Sequence, residues 1–206
     1  MATSANTSAT GGYLAPTSPA PATDLDLDQV LQALVVGLTG LPGDWVRARW
    51  QPNDDLGEER PRIPSIGTTW CAVGVTDTMR DDQPAQIHRS AGDGSTILIA
   101  HETVTALASF YGPKGDGYAS LMRDGLSIAQ NREDLTRMGM ALYDVDPVRR
   151  VPSIMNTRTR RRADLIFRLR RRVERIYPIL NVLKGVGTVH ADSGTIIETP
   201  VEAPET

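Results

Sequence analysis

Residues 156–179 read NTRTRRRADLIFRLRRRVERIYPI, and nine of these positions are arginine. With a period of two, Ala163, Leu165, Phe167, Leu169, Arg171 and Val173 share one face, while Asp164, Ile166, Arg168, Arg170, Arg172 and Glu174 share the other. That is the pattern of a half-buried strand with an apolar back and an arginine front. A helical reading also finds a stripe, in Leu165, Ile166, Leu169, Val173, Ile176 and Tyr177, and both Arg and Leu are good helix formers. Two features favour the strand. Asn156-Thr157 makes a turn after a strand ending near Val151, which supplies a hairpin partner, and ADLIFRLR carries too few apolar residues for a helix buried over four turns.

Working outward, Met140–Val145 and Pro147–Val151 read as that partner, bent at Asp146-Pro147. Upstream, Tyr118, Leu121, Met122, Gly125 and Leu126 recur at helical spacing with Asp116 as a cap. A short helix opens over Asn131–Asp134, and Gly139 sits where a left-handed C-terminal residue belongs. Thr96–Tyr111 is the longest strand-like run, Thr68–Asp77 is an apolar, β-branched strand, and Trp45–Trp50 is a short one. Between the first two lies a polar connection reaching about Ser95, and residues 51–65 read as a loop. Leu27, Val30, Leu31, Leu34 and Val35 form a helix stripe, with a Thr23/Asp26 capping pair before it and Gly37 and Gly40 after it.

The expected fold class is α+β: a mostly antiparallel sheet flanked by helices, in a single domain with extended N- and C-terminal arms. The boundaries are an arm at 1–22, a domain at 23–180 and an extension at 181–206. The arm is rich in Ala, Thr, Ser and Pro, with little to bury, so it is expected to be flexible unless a neighbour fixes it.

Charge is uneven. Of 22 basic and 25 acidic residues, the span from Arg149 to Arg175 holds eleven arginines and two acids, so the rest of the chain is acidic. Such asymmetry suits a molecule that meets a charged partner or stacks on its own kind. One cysteine excludes an intramolecular disulfide. Neither a signal peptide nor an apolar run of the roughly eighteen residues needed to span a membrane is expected.

Catalytic patterns find no support. His88, His101 and His190 are scattered without ligand-like neighbours, GPKGDG and GVG match no phosphate loop, and Cys71 lies in an apolar strand. Asp144 and Asp146 share a strand face and are expected to pair with Arg149, Arg150 or a neighbouring chain. The expectation is a protein that is not an enzyme and uses no cofactor or metal.

The arginine front has three readings: solvent, phosphate, or a subunit interface or lumen. Nucleic-acid modules add stacking aromatics or a recognition helix, and here Phe167 lies on the apolar face with only Tyr177 beside it. The interface or lumen reading is preferred, with Arg149, Arg150, Arg158, Arg160, Arg161, Arg162, Arg168, Arg170, Arg172 and Arg175 as candidates. A nucleic-acid-binding protein using Arg158–Arg175 is the rival of a different class.

Five segments carry a wider likeness: GLTGLPGDWVRARWQP (37–52), TWCAVGVTD (69–77), FYGPKGDGYASLMRDGLSIAQNREDL (110–135), MALYDVDPVRRVPSIMN (140–156) and RRADLIFRLRRRVERIYPI (161–179). Together they resemble the neck or tail terminator proteins of tailed bacteriophages. The resemblance implies an α+β subunit of a ring, typically a hexamer, that caps the tail tube, ends its growth and offers the docking surface for the head connector. It implies a virion protein assembled in the host cytoplasm, with tail tube and neck proteins as partners and genomic DNA passing through the lumen. A connector or stopper ring nearer the head is the alternative within the class. The family has no short motif that transfers residue by residue.

Overall fold

The computed structural model describes residues 6–19, 24–50, 64–155, 157–182, 184–185, 188–190, 196–198 and 201–202. The Thr23 cap and the loop at 51–63 lie outside the described residues. The chain divides into two units, Ala20–Gln83 with Ala100–Val173, and Met1–Pro19 with Pro84–Ile99 and Glu174–Thr206.

The larger unit is a sheet with helices. Helix α1 (Asp24–Thr39) is followed by strands β1 (Val46–Ala48), β2 (Trp70–Arg80) and β4 (Ser95–Tyr111), and by helices α2 (Gly115–Ser127) and α3 (Glu133–Arg137). Strand β5 (Met140–Val145), the two-residue β6 (Arg149–Arg150), the hairpin β7 (Ser153–Met155) and β8 (Arg158–Arg160), and the long β9 (Arg162–Tyr177) complete it. The hydrogen-bonding order is β1-β2-β4-β9-β5, with β6 also on β9 and β7–β8 forming a separate ribbon. Only β1 and β2 run parallel among the pairs set out by register; β2–β4, β5–β9, β6–β9 and β7–β8 are antiparallel. Side-chain contacts Ser109–Asp164 and Glu102–Arg171 occur in opposite order along β4 and β9, so this central pair is antiparallel too. The α+β class with a mostly antiparallel sheet is thus the observed one.

The core lies between the helices and one sheet face. Leu27, Leu31 and Val35 of α1 are buried at successive turns, and Val30 and Leu34 pack beside them. The helix runs through Gly37 and ends at Gly40, whose φ of 69° only glycine adopts without strain and whose N–H reaches Val36 O at 2.9 Å. On the central strands β4 and β9 the small Ala106, Ala108 and Ala163 are fully buried together with the large Phe110, Phe167, Leu165 and Leu169. In α2 the buried face is Gly115, Ala119, Met122 and Leu126, and Leu121 is 48% exposed. The expected stripe was off at that position: Ala119 takes the buried place and Leu121 does not. Asp116 sits in the first turn of α2 without capping it; the cap is Lys114, which makes no side-chain bond there.

In the smaller unit, β3 (Ala85–Arg89) pairs antiparallel with Ser95–Ile99 of β4. This hairpin occupies what read as a polar connection. Every residue of β3 is exposed, so no apolar alternation announces it. Asn181 holds its turn: Nδ2 donates to Ser90 O at 2.7 Å and Gly92 O at 3.1 Å, and the Asn181 N–H reaches Asp93 O at 3.0 Å. His88 bridges Thr96 Oγ1 and Asn181 Oδ1 at 3.1 and 2.6 Å, a structural role. The described arm residues, 6–19, make hydrogen bonds to their own chain. Thr17 N–H donates to Ile176 O, Ser8 N–H to Pro178 O, and Ser8 Oγ and Ser18 Oγ accept from Leu180 and Ile176 N–H. Further along, β10 (Lys184–Gly185) pairs with β13 (Val201–Glu202), and β11 (Thr188–His190) with β12 (Ile196–Glu198).

Candidate functional site: an arginine front balanced within the chain

Strand β9 is the strand its alternation predicts. Ala163, Leu165, Phe167 and Leu169 are at most 1% exposed, and the residues between them point to the other face. Before it, the turn residue Thr157 has a φ of 64°, rare for a β-branched residue and the mark of a tight connection between β7 and β8.

On the opposite face the arginines meet acids from other elements. Arg168 reaches Asp144 at 2.7 Å and Asp146 at 2.9 Å, and Arg149 adds a 3.8 Å contact to Asp146. These hydrogen bonds hold the Arg168 guanidinium above its ordinary pKa, Asp146 contributing most. Arg170 pairs with Asp81 at 2.9 Å, and Arg150 with Asp116 at 3.1 Å. The two carboxylates at 144 and 146 thus share one guanidinium. They clamp an arginine 24 and 22 positions further along the chain, a pairing that neither spacing nor motif encodes.

A second group lies at the β2–β4–β9 end. Arg162 grips Asp164 through two bonds, at 2.7 and 2.6 Å. Asp164 also accepts from Ser109 Oγ at 2.7 Å, and Ser109 Oγ accepts from the Arg49 guanidinium at 2.5 Å. The chain Arg49–Ser109–Asp164–Arg162 buries one carboxylate between two cations. Burial pushes the Arg49 guanidinium down, while the Asp164 bond pushes that of Arg162 up. Beside it, Trp70 and Tyr111 stack at 4.5 Å and 16°, with the buried Arg160 guanidinium 4.3 Å from the Tyr111 ring and 5.6 Å from Trp70. The Arg47 guanidinium stands 5.8 Å from the centre of the Trp70 ring. Such cation–π packing contributes roughly 0.5–2 kcal/mol per contact as water is excluded.

Of the ten candidates, Arg149, Arg150, Arg162, Arg168 and Arg170 stand in ion pairs and Arg160 in the aromatic stack. Arg172 is exposed and Arg175 half-buried. Arg158 and Arg161 are exposed and make no ion pair among the described residues. Arg171, on the apolar face and outside the candidate set, forms the most enclosed pair of those described, with Glu102 at 2.8 Å and both side chains 12–13% exposed. The period-2 reading placed it against the core; the 69-residue separation from Glu102 hid its partner.

No group of three or more metal-ligating side chains forms among the described residues, and no helix there is long and apolar enough to cross a membrane. Cys71 is fully buried, and burial pushes its thiol pKa up, away from nucleophilic use. A comparison with curated proteins finds no match. The model of the phage neck terminator protein family matches residues 25–194, which takes in helix α1 from its second residue, helix α2 and the whole arginine-bearing strand. With more than half of its length matched, this chain belongs to the phage neck terminator proteins, a structural family of the bacteriophage virion.

Proposed function

We propose that the chain forms a ring, hexameric in the simplest case, that caps the tail tube, stops its growth and provides the surface on which the head connector docks. Family membership over residues 25–194 carries this reading. The electrostatics support it. A lumen through which DNA leaves must not grip phosphate, and here Asp81, Asp116, Asp144, Asp146 and Asp164 neutralise the arginine front within one subunit. A phosphate would have to displace a carboxylate at each position, so tight duplex binding is disfavoured. Contact with passing DNA then falls to exposed positions such as Arg158 and Arg161. Tail tube and connector proteins are the partners, met in the host cytoplasm as virions assemble.

Electron microscopy of virions made without this protein tests the proposal. Tails of uncontrolled length, or finished heads and tails left unjoined, are expected. Virions of normal appearance would overturn it.

A further inference from the structure

The β7–β8 ribbon pairs apart from the main sheet, yet both sides of its base are tied to it. Val151 N–H donates to Arg162 O at 2.9 Å, and Gly112 N–H to Arg161 O at 3.0 Å. On one face Arg160 is buried over the Tyr111 and Trp70 rings, and its cross-strand partner Ser153 is half-buried. Cross-strand partners share a face, so Ile154 and Thr159 stand together on the other. Both are exposed, Ile154 to 81%.

Charge around this face has one sign. Residues 147–163 hold six arginines and no acid. Arg149, Arg150 and Arg162 pair with Asp146, Asp116 and Asp164, and Arg160 enters the aromatic stack. Arg158 and Arg161 are left exposed, with no ion pair among the described residues.

Spacing points to the partner. Three residues of extended chain span about 10 Å, close to the roughly 12 Å width of the DNA major groove, which admits a two-stranded ribbon. Cations at 158 and 161 can therefore reach phosphates on both sides of one groove. Thr159 and its neighbour Ile154 lie between them, where base edges present thymine methyl groups. An acidic protein surface would satisfy the charges but gives no reason for that spacing.

We propose that the β7–β8 ribbon lies in the major groove of duplex DNA, with Arg158 and Arg161 on phosphates of opposite strands and Ile154 against base edges. This rests on the reading above that DNA contact falls to these two arginines, and it needs no ring. Two phosphates make a weak, salt-sensitive contact along which a duplex can slide.

Fluorescence anisotropy of the full chain with a labelled duplex at low salt tests it. I154S should melt like the wild type, since the side chain is exposed. It should bind about three- to tenfold more weakly, with the salt dependence unchanged. A duplex carrying uracil in place of thymine lacks the methyl groups, so the wild type should lose a similar factor on it and I154S nothing further. If neither change matters while R158S with R161S does, the phosphate contact stands and the groove contact is wrong. If the wild type fails to bind duplex, the proposal falls; the same variants loosening the protein on purified tails would then assign the ribbon to a protein partner. Neither failure touches the ring reading, which virions lacking the protein decide. Should I154S melt below the wild type, the uracil duplex alone decides.

Discussion

Arg171 shows how one side chain can contradict the face it lies on. It shares the inner face of β9 with Leu169 and Val173, yet it is tolerated because Glu102 of β4 meets it through 2.8 and 2.9 Å contacts. Removing one member of such a pair strands the other charge away from water. Arg171→Ala is therefore expected to cost about 3–5 kcal/mol in urea unfolding, and Arg171→Met with Glu102→Leu to recover most of it. A single variant as costly as the double would mean the pair is effectively solvated. Cys71 gives a pH-dependent counterpart. In the folded chain burial holds its thiol neutral, but in the unfolded chain it ionises around its ordinary value of 9.0. The raised folded pKa means its contribution is fully present below that value, and stability falls as pH climbs above it. Cys71→Ala should flatten this alkaline loss in melts from about pH 8 to about 10.5, the window that opens around the unfolded value. Native protein should also resist alkylation until it unfolds; rapid labelling under native conditions would contradict the burial. The inertness of Cys71 was legible from its apolar neighbours. The partners of Arg171, Arg168 and Arg170 were not, because ion pairs between distant strands leave no local pattern.

Elements were legible where one face is buried. Strand β9 and helix α1 follow from periodicity, since a period-2 or period-3.6 stripe is what burial selects. The hairpin strand β3 was not, because all five of its residues face solvent and pairing with β4, rather than burial, makes it a strand. Its turn depends on a residue almost ninety positions away, Asn181, whose side chain satisfies Ser90 O, Gly92 O and His88 together. Gly94 has a φ of 93° and lies so close that a Cβ there would come within 2.6 Å of Asn181 Oδ1. Asn181→Ala should speed amide exchange across 85–99 by roughly ten- to a hundredfold, the loss of one to three net hydrogen bonds at about 1 kcal/mol each. Exchange in α1 and α2 should hold steady. Uniform acceleration throughout the chain would show that the turn is not a separate cooperative element.

For the whole molecule, the asymmetry between a basic span and an acidic remainder was sound as read from the sequence, and its meaning changed once the chain was folded. The acids that could have belonged to a neighbour are in large part supplied by the same subunit. Duplex retention at low salt should accordingly be weak, and Arg158→Ser with Arg161→Ser should abolish most of it. The salt dependence should fall by about two counterions. Equal loss on replacing Arg150 and Arg170 would show that the internal pairs open to phosphate. There is also an order in time. Residues 6–19 are bonded to residues 176–180, across separations of 159 and 172 positions. At synthesis rates of about 5–20 residues per second, the later partners follow on the order of ten to thirty seconds behind the earlier ones. The larger unit can gather most of its core in that interval, but the smaller one cannot close. A nascent chain interrupted before 176 would thus carry an undocked leading segment, a difference that proteases could read in distinguishing finished subunits from fragments.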